Sequence, residues 1–391
     1  MKVMWFLLVL LLMTPSVGFA QTLAASSKPT VPSYLITNDD QPPKIPTSGT
    51  FFTIASGGAL QNPTRVSLGG VGAGGGYFAA NRVNILQSVT DACAYLSLGS
   101  SGEVSVVNIQ TLANIGDFSA DTDDSGVDNG IGLTNNGSYL YASFSTSDTI
   151  ATFTILSGCG LQFLSDISPI GKHQGNVKGM AAHGNLLIVT YGDGSIESFN
   201  ISAGVPVSNG DLQDATGHIT DRFPTGVDIT QDGHYAIFGD QSTNTTVEVS
   251  DISSGKLTRT VLYNLGKAGN SNNVALSPDE TLLYISNTST GQVTAAFFDA
   301  SSGKVSPGCT SLPLKGFDSQ WTFLSTPVTE LNSGTGSVLY LAEFGASSGI
   351  ALLNVSSSGG KCKLTETSGS PVVDLNSPSL LSIAVYPPRQ F

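Results

Sequence analysis

Two short segments of the sequence carry the groups best suited to chemistry. "GKHQGNVKG" (171–179) contains His173, Asn176 and Lys178, and "GHITDRFPTG" (217–226) contains His218, Asp221 and Arg222. Hydrolysis at a carbonyl group needs a base that activates water and a cation or amide that stabilises the oxyanion. His173 or His218 is the candidate base, and Arg222 or Lys178 the candidate electrophile. The alternative is that these charges only solvate loops and balance neighbouring acids.

Two further motifs match functional patterns but lack the surroundings that the chemistry requires. "GVGAGG" (70–75) fits G-x-G-x-x-G, yet the residues after it predict a strand instead of the helix that presents amides to a pyrophosphate. "GASSG" (345–349) would make Ser347 a nucleophile only at the turn between a strand and a helix. Here it falls where a hairpin between two strands is expected, so we interpret both motifs as connecting loops.

The segment "DTDDSG" (121–126) matches the first half of a calcium-binding loop. Asp121, Asp123 and Ser125 would supply oxygen ligands, and Gly126 would form the sharp turn. The twelfth position, where such loops place a bidentate Glu, is Gly132. We expect no essential metal and no cofactor, while a weak calcium site at this loop stays open.

The first residues predict a secretory signal. Lys2 is followed by the apolar run 3–13 and by small residues ending at Ala20, so cleavage is expected after Ala20 or up to residue 25. This run is too short to span a bilayer, and no later segment is long enough. We therefore expect a secreted or periplasmic protein that does not insert into a membrane.

The charge of the chain excludes one class of partner. The sequence has 16 Lys and Arg against 29 Asp and Glu, a formal charge of −13 that becomes −14 when Lys2 is removed. So acidic a surface repels nucleic acid, and no basic cluster offsets it. We expect a monomer whose partner is a small molecule, a peptide or a glycan.

Four cysteines, Cys93, Cys159, Cys309 and Cys362, permit two disulfides in any of three pairings. Their spacings are too wide and too poor in His for a zinc site. Disulfides suit an exported chain, and free structural thiols are the alternative.

A repeat of nearly fifty residues organises the chain. "LTNNGSYLY" (133–141), "MAAHGNLLI" (180–188), "ITQDGHYAI" (229–237) and "LSPDETLLYI" (276–285) share an apolar residue, a polar turn and an apolar strand, at spacings of 47, 49 and 47 residues. Charged residues are only 12%, and the chain has 45 Gly, as expected of many short strands joined by tight turns. Each unit contains four strand-like segments and no helical periodicity, which is typical of a β-propeller blade.

Counting the units predicts seven blades. Six whole units begin near Tyr77, Asn129, Val177, Phe223, Asn272 and Thr322. "PSLLSIAVYP" (378–387) is an inner strand without successors, while three outer strands near the N-terminus lack an inner one. Joining them closes the ring and removes the open sheet edges. We therefore predict an all-β, seven-bladed β-propeller over residues 33–391, preceded by the signal (1–20) and a flexible segment (21–32).

The repeat resembles a known family. "YLITN" (34–38) and "YISN" (284–287) are similar to the Tyr-Val-Thr-Asn repeat, and "SPDETLLYISN" with "DASSGKV" resembles a blade of lactonase-type propellers. That family includes 6-phosphogluconolactonase-like and carboxymuconate-cyclase-like proteins. The resemblance covers nearly all of the expected mature chain but consists of blade-building residues. Related blades often place a His where the inner strand begins, whereas this chain has Val177, Pro224 and Asn273, so no catalytic residue carries over.

The predicted fold places the candidate residues together. Loops that lead into inner strands surround one mouth of the central channel, and polar residues there are natural ligand contacts. Besides Asn176 and Asp221, these are Asn272, Asn273 and Trp321. Trp321 either stacks on a ligand or packs between blades.

Two functions stay open for this mouth. One is a metal-independent hydrolase or isomerase of a small lactone or sugar acid; the other is a non-catalytic propeller that binds a peptide or glycan. Export argues against 6-phosphogluconolactone itself as the substrate, because phosphorylated sugars are mostly intracellular.

Overall fold

The computed structural model describes fourteen stretches of the chain. They are residues 32–39, 45–72, 81–120, 131–144, 149–168, 177–211, 213, 224–241, 244–266, 269–317, 323–332, 337–344, 349–373 and 382–389, with backbone only for Arg259, 323–332 and Phe344. Residues Pro32–Phe391 form one compact unit. Within the described stretches, helical structure is confined to the 3-10 turns Gly99–Ser101 and Ser157–Cys159, and neither these nor any other described segment forms a helix able to cross a membrane.

The described residues form seven antiparallel sheets of four strands each, which we number as blades 1–7. From the innermost strand outwards, blade 1 is β4 (Val83–Gln87), β5 (Ala92–Leu98), β6 (Glu103–Asn108) and β7 (Ala113–Ser119); blade 2 is β8 (Ile131–Asn135), β9 (Tyr139–Phe144), β10 (Thr149–Ile155) and β11 (Leu161–Ile167). Blade 3 is β12 (Val177–His183), β13 (Leu186–Tyr191), β14 (Ile196–Asn200) and β15 (Val207–Ser208); blade 4 is β16 (Pro224–Ile229), β17 (Tyr235–Gln241), β18 (Thr245–Asp251) and β19 (Arg259–Gly266). Blade 5 is β20 (Ser271–Leu276), β21 (Leu282–Asn287), β22 (Gln292–Asp299) and β23 (Lys304–Thr310); blade 6 is β24 (Phe323–Asn332), β25 (Ser337–Phe344), β26 (Gly349–Ser358) and β27 (Lys361–Glu366).

Blade 7 closes the ring with strands from both ends of the sequence. It consists of β28 (Ser382–Tyr386) inside β1 (Tyr34–Asn38), β2 (Pro46–Ile54) and β3 (Leu60–Val71). β28 pairs with β1 along its whole length, from Ser382 opposite Asn38 to Tyr386 opposite Tyr34. Each inner strand also contacts the inner strands of both neighbouring blades. The predicted seven-bladed fold and its closure are confirmed.

One predicted boundary is wrong. The first inner strand was expected near Tyr77, but β4 begins at Val83. β4 pairs with β5 from Val83 opposite Leu96 to Gln87 opposite Ala92. Tyr77 lies outside the described residues.

The core consists of apolar residues packed between blades. Along β21 the side chains alternate, so that Leu283 and Ile285 pack against blade 4 while Leu282 and Tyr284 pack against blade 6. Both faces of a second strand are thus buried, which explains why these strands are almost continuously apolar in sequence. The hydrophobic effect holds each blade to two neighbours.

The repeated turn of the sequence joins first and second strands. In blade 4, Thr230 donates to Asp232, and in blade 5 Ser277 donates to Asp279, both over 2.7 Å. The residue that follows has a positive φ, 69° at Gly233 and 55° at Glu280. Glycine adopts this conformation readily.

Two disulfides link adjacent blades. Cys93 on β5 bonds to Cys159, which follows β10, so this bridge joins blades 1 and 2. Cys309 on β23 bonds to Cys362 on β27 and joins blades 5 and 6. Of the three pairings that the sequence allowed, the structure therefore forms the one that links consecutive blades.

Candidate functional site

The candidate site lies at the channel mouth, which we define as the face at which the inner strands begin. Lys178, Asn272 and Asn273 lie within the first residues of β12 and β20 on this face. The other predicted site residues lie outside the described residues: His173, Asn176, His218, Asp221, Arg222 and Trp321.

The three described candidates sit on irregularities of the inner strands. In blades 3, 4 and 5 the pairing between first and second strands shifts near the mouth, as in a β-bulge. The shifts lie between Val177 and Gly179, between Pro224 and Val227, and between Ser271 and Val274. The inner strand of blade 6 shifts as well, between Ser325 and Thr329, whereas β4, β8 and β28 pair without a shift. Bulges redirect side chains and are common beside active sites, so this sector of the mouth differs from the opposite side.

Hydrogen bonds connect these three irregularities into one polar chain. Thr190 Oγ1 donates to the carbonyl of Thr225 over 2.6 Å. Thr225 Oγ1 donates to the carbonyl of Asn272, and Gln241 Nε2 donates to Asn272 Oδ1 over 3.2 Å. Since these residues belong to blades 3, 4 and 5, the backbone of the mouth is fixed across three blades.

Glycine allows the inner strands to approach each other at this point. A Cβ atom on Gly179 would lie 2.2 Å from the carbonyl oxygen of Thr225, and one on Gly226 would lie 2.2 Å from Asn273 Oδ1. No side chain fits in either place without a shift of the neighbouring strand. The spacing of the polar groups therefore depends on two glycines.

Lys178 brings a cation with an altered pKa to this sector. It lies in the irregular part of β12 between Val177 and Gly179 and is half-buried. Burial disfavours the charged ammonium and lowers the pKa of Lys178 to about 8. Such a group exchanges its proton close to neutral pH, a property common among catalytic residues.

Asn273 offers an acceptor at the same place. Its backbone N–H donates to Ser286 Oγ over 3.0 Å, but its side-chain Oδ1 is buried and has no hydrogen-bond partner among the described residues. Buried polar atoms are normally paired. An acceptor of this kind suits the hydroxyl group of a ligand or a water molecule.

Two charged residues that the sequence analysis did not select are also buried near this face. Arg82 directly precedes β4 and is fully buried, which lowers the pKa of its guanidinium to about 9. Glu343 lies near the mouth end of β25 and is fully buried against Gly316. The sequence could have indicated Glu343 as a candidate, because this charged residue interrupts the otherwise apolar strand "SVLYLAEF".

The pKa of Glu343 is raised to about 8, first by burial and then by the charge of Glu366. Neither carboxylate oxygen of Glu343 has a hydrogen-bond partner within the described part of the chain. Desolvation without a partner favours the neutral acid. Glu343 is therefore a buried acid between blades 5 and 6 whose neutral form is favoured.

In the described stretches, no group of three or more His, Cys, Asp or Glu is arranged to hold a metal ion. The Asp121–Gly126 segment lies outside them, so the structure does not test a calcium site there.

Similar proteins are found by structure and not by sequence. No protein-family model matches the chain, and a comparison with curated proteins gives no match either. A candidate 6-phosphogluconolactonase of Bacteroides uniformis is 14% identical with a TM-score of 0.64, covering 91% of this chain and 99% of its own. A protein of unknown function from Desulfotomaculum acetoxidans is 15% identical with a TM-score of 0.63, at coverages of 91% and 99%.

The periplasmic gluconolactonase of Pseudomonas aeruginosa is 14% identical to the chain with a TM-score of 0.61, covering 90% of this chain and 99% of its own. Identities this low establish a shared fold and do not transfer an activity. The resemblance to lactonase-type propellers that the blade sequences predicted is confirmed at the level of the fold.

Proposed function

We propose that this protein is an exported propeller that binds a small lactone or sugar acid at the channel mouth and opens or isomerises it without a metal ion. The observation that carries this proposal is the polar chain across blades 3 to 5. This polar chain lies in the same bulged sector as Lys178, which has a pKa of about 8, and as the buried Oδ1 of Asn273, which has no hydrogen-bond partner among the described residues.

The proposed hydrolysis assigns each group a role. His173 or His218 removes a proton from water as the water attacks the lactone carbonyl carbon. The ammonium of Lys178, with Arg222, stabilises the charge that develops on the carbonyl oxygen. The ring C–O bond then breaks, and the histidine returns the proton to the departing oxygen. Asn272, Asn273, Asn176 and Asp221 orient the hydroxyl groups of the ligand, and Trp321 stacks on it.

Export is supported by two independent features. The pattern of residues 2–20 is that of a secretory signal, and the two disulfides are typical of proteins that fold in an oxidising compartment. N-terminal sequencing of the protein recovered from its natural host tests this: processing after Ala20 or up to residue 25 is expected. An intact Met1 on cytoplasmic protein would rule out export.

A turnover panel tests the activity. Purified mature protein is assayed with aldonolactones and sugar acids, beside the variants His173→Ala, His218→Ala and Lys178→Gln. The controls are His234→Ala and Lys304→Gln, which change exposed residues of the same type. We expect Lys178→Gln and one of the two histidine variants to lose turnover while both controls keep it.

The same panel separates the enzyme from the binding alternative. Trp321 is the only tryptophan once the segment carrying Trp5 is removed, so its emission reports binding at the mouth. Saturable emission changes without turnover of any compound would favour a non-catalytic binding propeller.

A further inference from the structure

The C-terminal segment continues beyond the last strand to the channel floor, which we define as the face at which the inner strands end. Three residues after β28, the guanidinium of Arg389 forms two parallel bonds to Asp228, Nη1 to Oδ2 and Nη2 to Oδ1, each 3.0 Å long. Nη1 also donates to the carbonyl of Leu276 over 3.4 Å, and Nη2 donates to the carbonyl of Ile229. Four acceptors thus surround one guanidinium.

These acceptors belong to blades that are not neighbours of blade 7. Ile229 and Leu276 are the last residues of β16 and β20, just as Tyr386 is the last residue of β28. Within the ring, however, β28 contacts β24 and β4. Three residues extend over roughly 10 Å at most, which is too short to follow the outer rim of the blades. The segment therefore passes over the ends of the inner strands.

Burial and charge make this contact stronger than an ordinary surface ion pair. The side chains of Arg389 and Asp228 are only 13% and 19% exposed. Two parallel bonds between a guanidinium and a carboxylate are among the strongest in proteins, and partial burial reduces screening by water. Asp228 Oδ2 also accepts the N–H of Leu276 over 2.8 Å, so one carboxylate joins blades 4, 5 and 7.

The surrounding floor is acidic. Glu280 interacts electrostatically with Asp228, Asp232 and Arg389, and its Oε1 accepts the N–H of Gln231 over 2.6 Å. The attraction to Arg389 opposes the repulsion between these carboxylates. Arg389 thus supplies a positive charge beside these carboxylates, and its planar guanidinium also donates to the two carbonyls.

We propose that the channel floor holds a guanidinium-binding site, formed by Asp228 and the carbonyls of Ile229 and Leu276, and that the chain fills it with its own Arg389. Residues 387–389 then act as a strap across the floor. This inference is independent of the function proposed for the mouth, because it rests on contacts at the opposite face.

The first test uses the full chain. Arg389→Gln should lower the melting temperature and speed hydrogen exchange in β16 and β20, with the amide of Leu276 as the most sensitive probe. Arg389→Lys keeps the charge but cannot form two parallel bonds, so it should give an intermediate effect. Exchange in β4, on the far side of the ring, serves as the internal control and should not change. Wild-type melting and exchange in Arg389→Gln would overturn the proposal.

The second test supplies the guanidinium in trans. A chain that ends at Tyr386, with its fold checked by circular dichroism, is titrated with the peptide Pro-Pro-Arg-Gln-Phe, which is the sequence of residues 387–391. We expect saturable binding that restores thermal stability. The same peptide with Gln in place of Arg should bind at least about tenfold more weakly, since hydrogen bonds to charged groups are lost. Equal binding of both peptides, or none of either, would refute a guanidinium site.

Discussion

At the scale of single residues, burial near the mouth brings the pKa values of Lys178 and Glu343 close to neutral pH. Lys178 loses affinity for its proton and Glu343 gains it, and both have a pKa of about 8. The cause is the same, because a low-dielectric surrounding disfavours whichever form is charged. Their positions differ: Lys178 lies on the bulged start of β12 in blade 3, while Glu343 lies between blades 5 and 6.

Lys178 predicts the pH dependence of the proposed activity. The ammonium form attracts an anionic ligand or an oxyanion, so activity should fall as pH rises through about 8. Lys178→Arg keeps its charge far above this pH, and its profile should lack the fall. Rate constants of the wild type and of Lys178→Arg, measured across this pH range, test the prediction. An unchanged profile in Lys178→Arg would show that another group titrates.

Glu343 predicts how stability depends on pH. Its folded pKa lies above the unfolded value, so the folded chain binds more protons between about pH 4.5 and pH 8. The free energy of unfolding should therefore decrease as pH rises through this window and level off above it. At about 1.4 kcal/mol for each pKa unit, the window from pH 4.5 to about 8 corresponds to a decrease of roughly 5 kcal/mol.

Urea unfolding of wild type and Glu343→Gln across this window tests the prediction, since the amide does not titrate. Glu366→Gln is the second variant: it removes the second cause of the raised pKa of Glu343 and should reduce the total decrease in the free energy of unfolding without abolishing it. A wild-type slope in Glu343→Gln would contradict the assignment.

At the scale of elements, bulges and glycines set the geometry of the mouth. Inner strands of regular pairing would direct their side chains alternately to the two faces of a blade. The shifts in β12, β16 and β20 break that alternation near the mouth. Gly179 and Gly226 then let the bulged strands pack with almost no space between them.

Gly226→Ala tests the importance of this close approach. The added methyl group would meet Asn273 Oδ1 at 2.2 Å, and overpacking of this kind costs about 1–3 kcal/mol. We expect a lower melting temperature and weaker ligand binding at the mouth. Gly369→Ala is the matched control, because a Cβ there meets nothing within 4 Å. Equal stability of the two variants would mean that the strands can separate at no cost.

At the scale of the whole molecule, the ring is held by closure and by bonds between neighbouring blades. β28 supplies the only described inner strand of blade 7, and it pairs with β1 over five residues. Opening this blade would expose two sheet edges and the apolar surfaces beside them. The disulfides lie elsewhere, between blades 1 and 2 and between blades 5 and 6, so they do not secure the closure.

Truncation after Ser377 should unfold the entire ring, because the three N-terminal strands lose their inner partner. A second chain, which ends at Pro388, keeps β28 but lacks Arg389 and the two residues after it. Scanning calorimetry should show no cooperative transition for the first chain and a lowered but intact transition for the second. A wild-type melting temperature after removal of β28 would refute the closure argument.

The amino-acid sequence by itself determined the blade count and the closure. A polar turn followed by an apolar strand recurs every 47 to 49 residues, and local hydrogen bonds such as Thr230 to Asp232 form this turn independently of the rest of the fold. Unpaired strands at both ends of the sequence then had one way to complete a sheet. The predicted start of the first unit, near Tyr77, precedes the first residue of β4, Val83.

Only the tertiary structure decided what happens between blades. It paired Cys93 with Cys159, raised the pKa of Glu343 by burying it against Gly316 and brought Arg389 to Asp228, 161 residues away. No local pattern encodes these contacts, because they depend on the rotation from one blade to the next. The three described site residues depend on both. The repeat predicted that Lys178, Asn272 and Asn273 lie at the mouth. The bulges that orient their side chains arise only when neighbouring inner strands pack together.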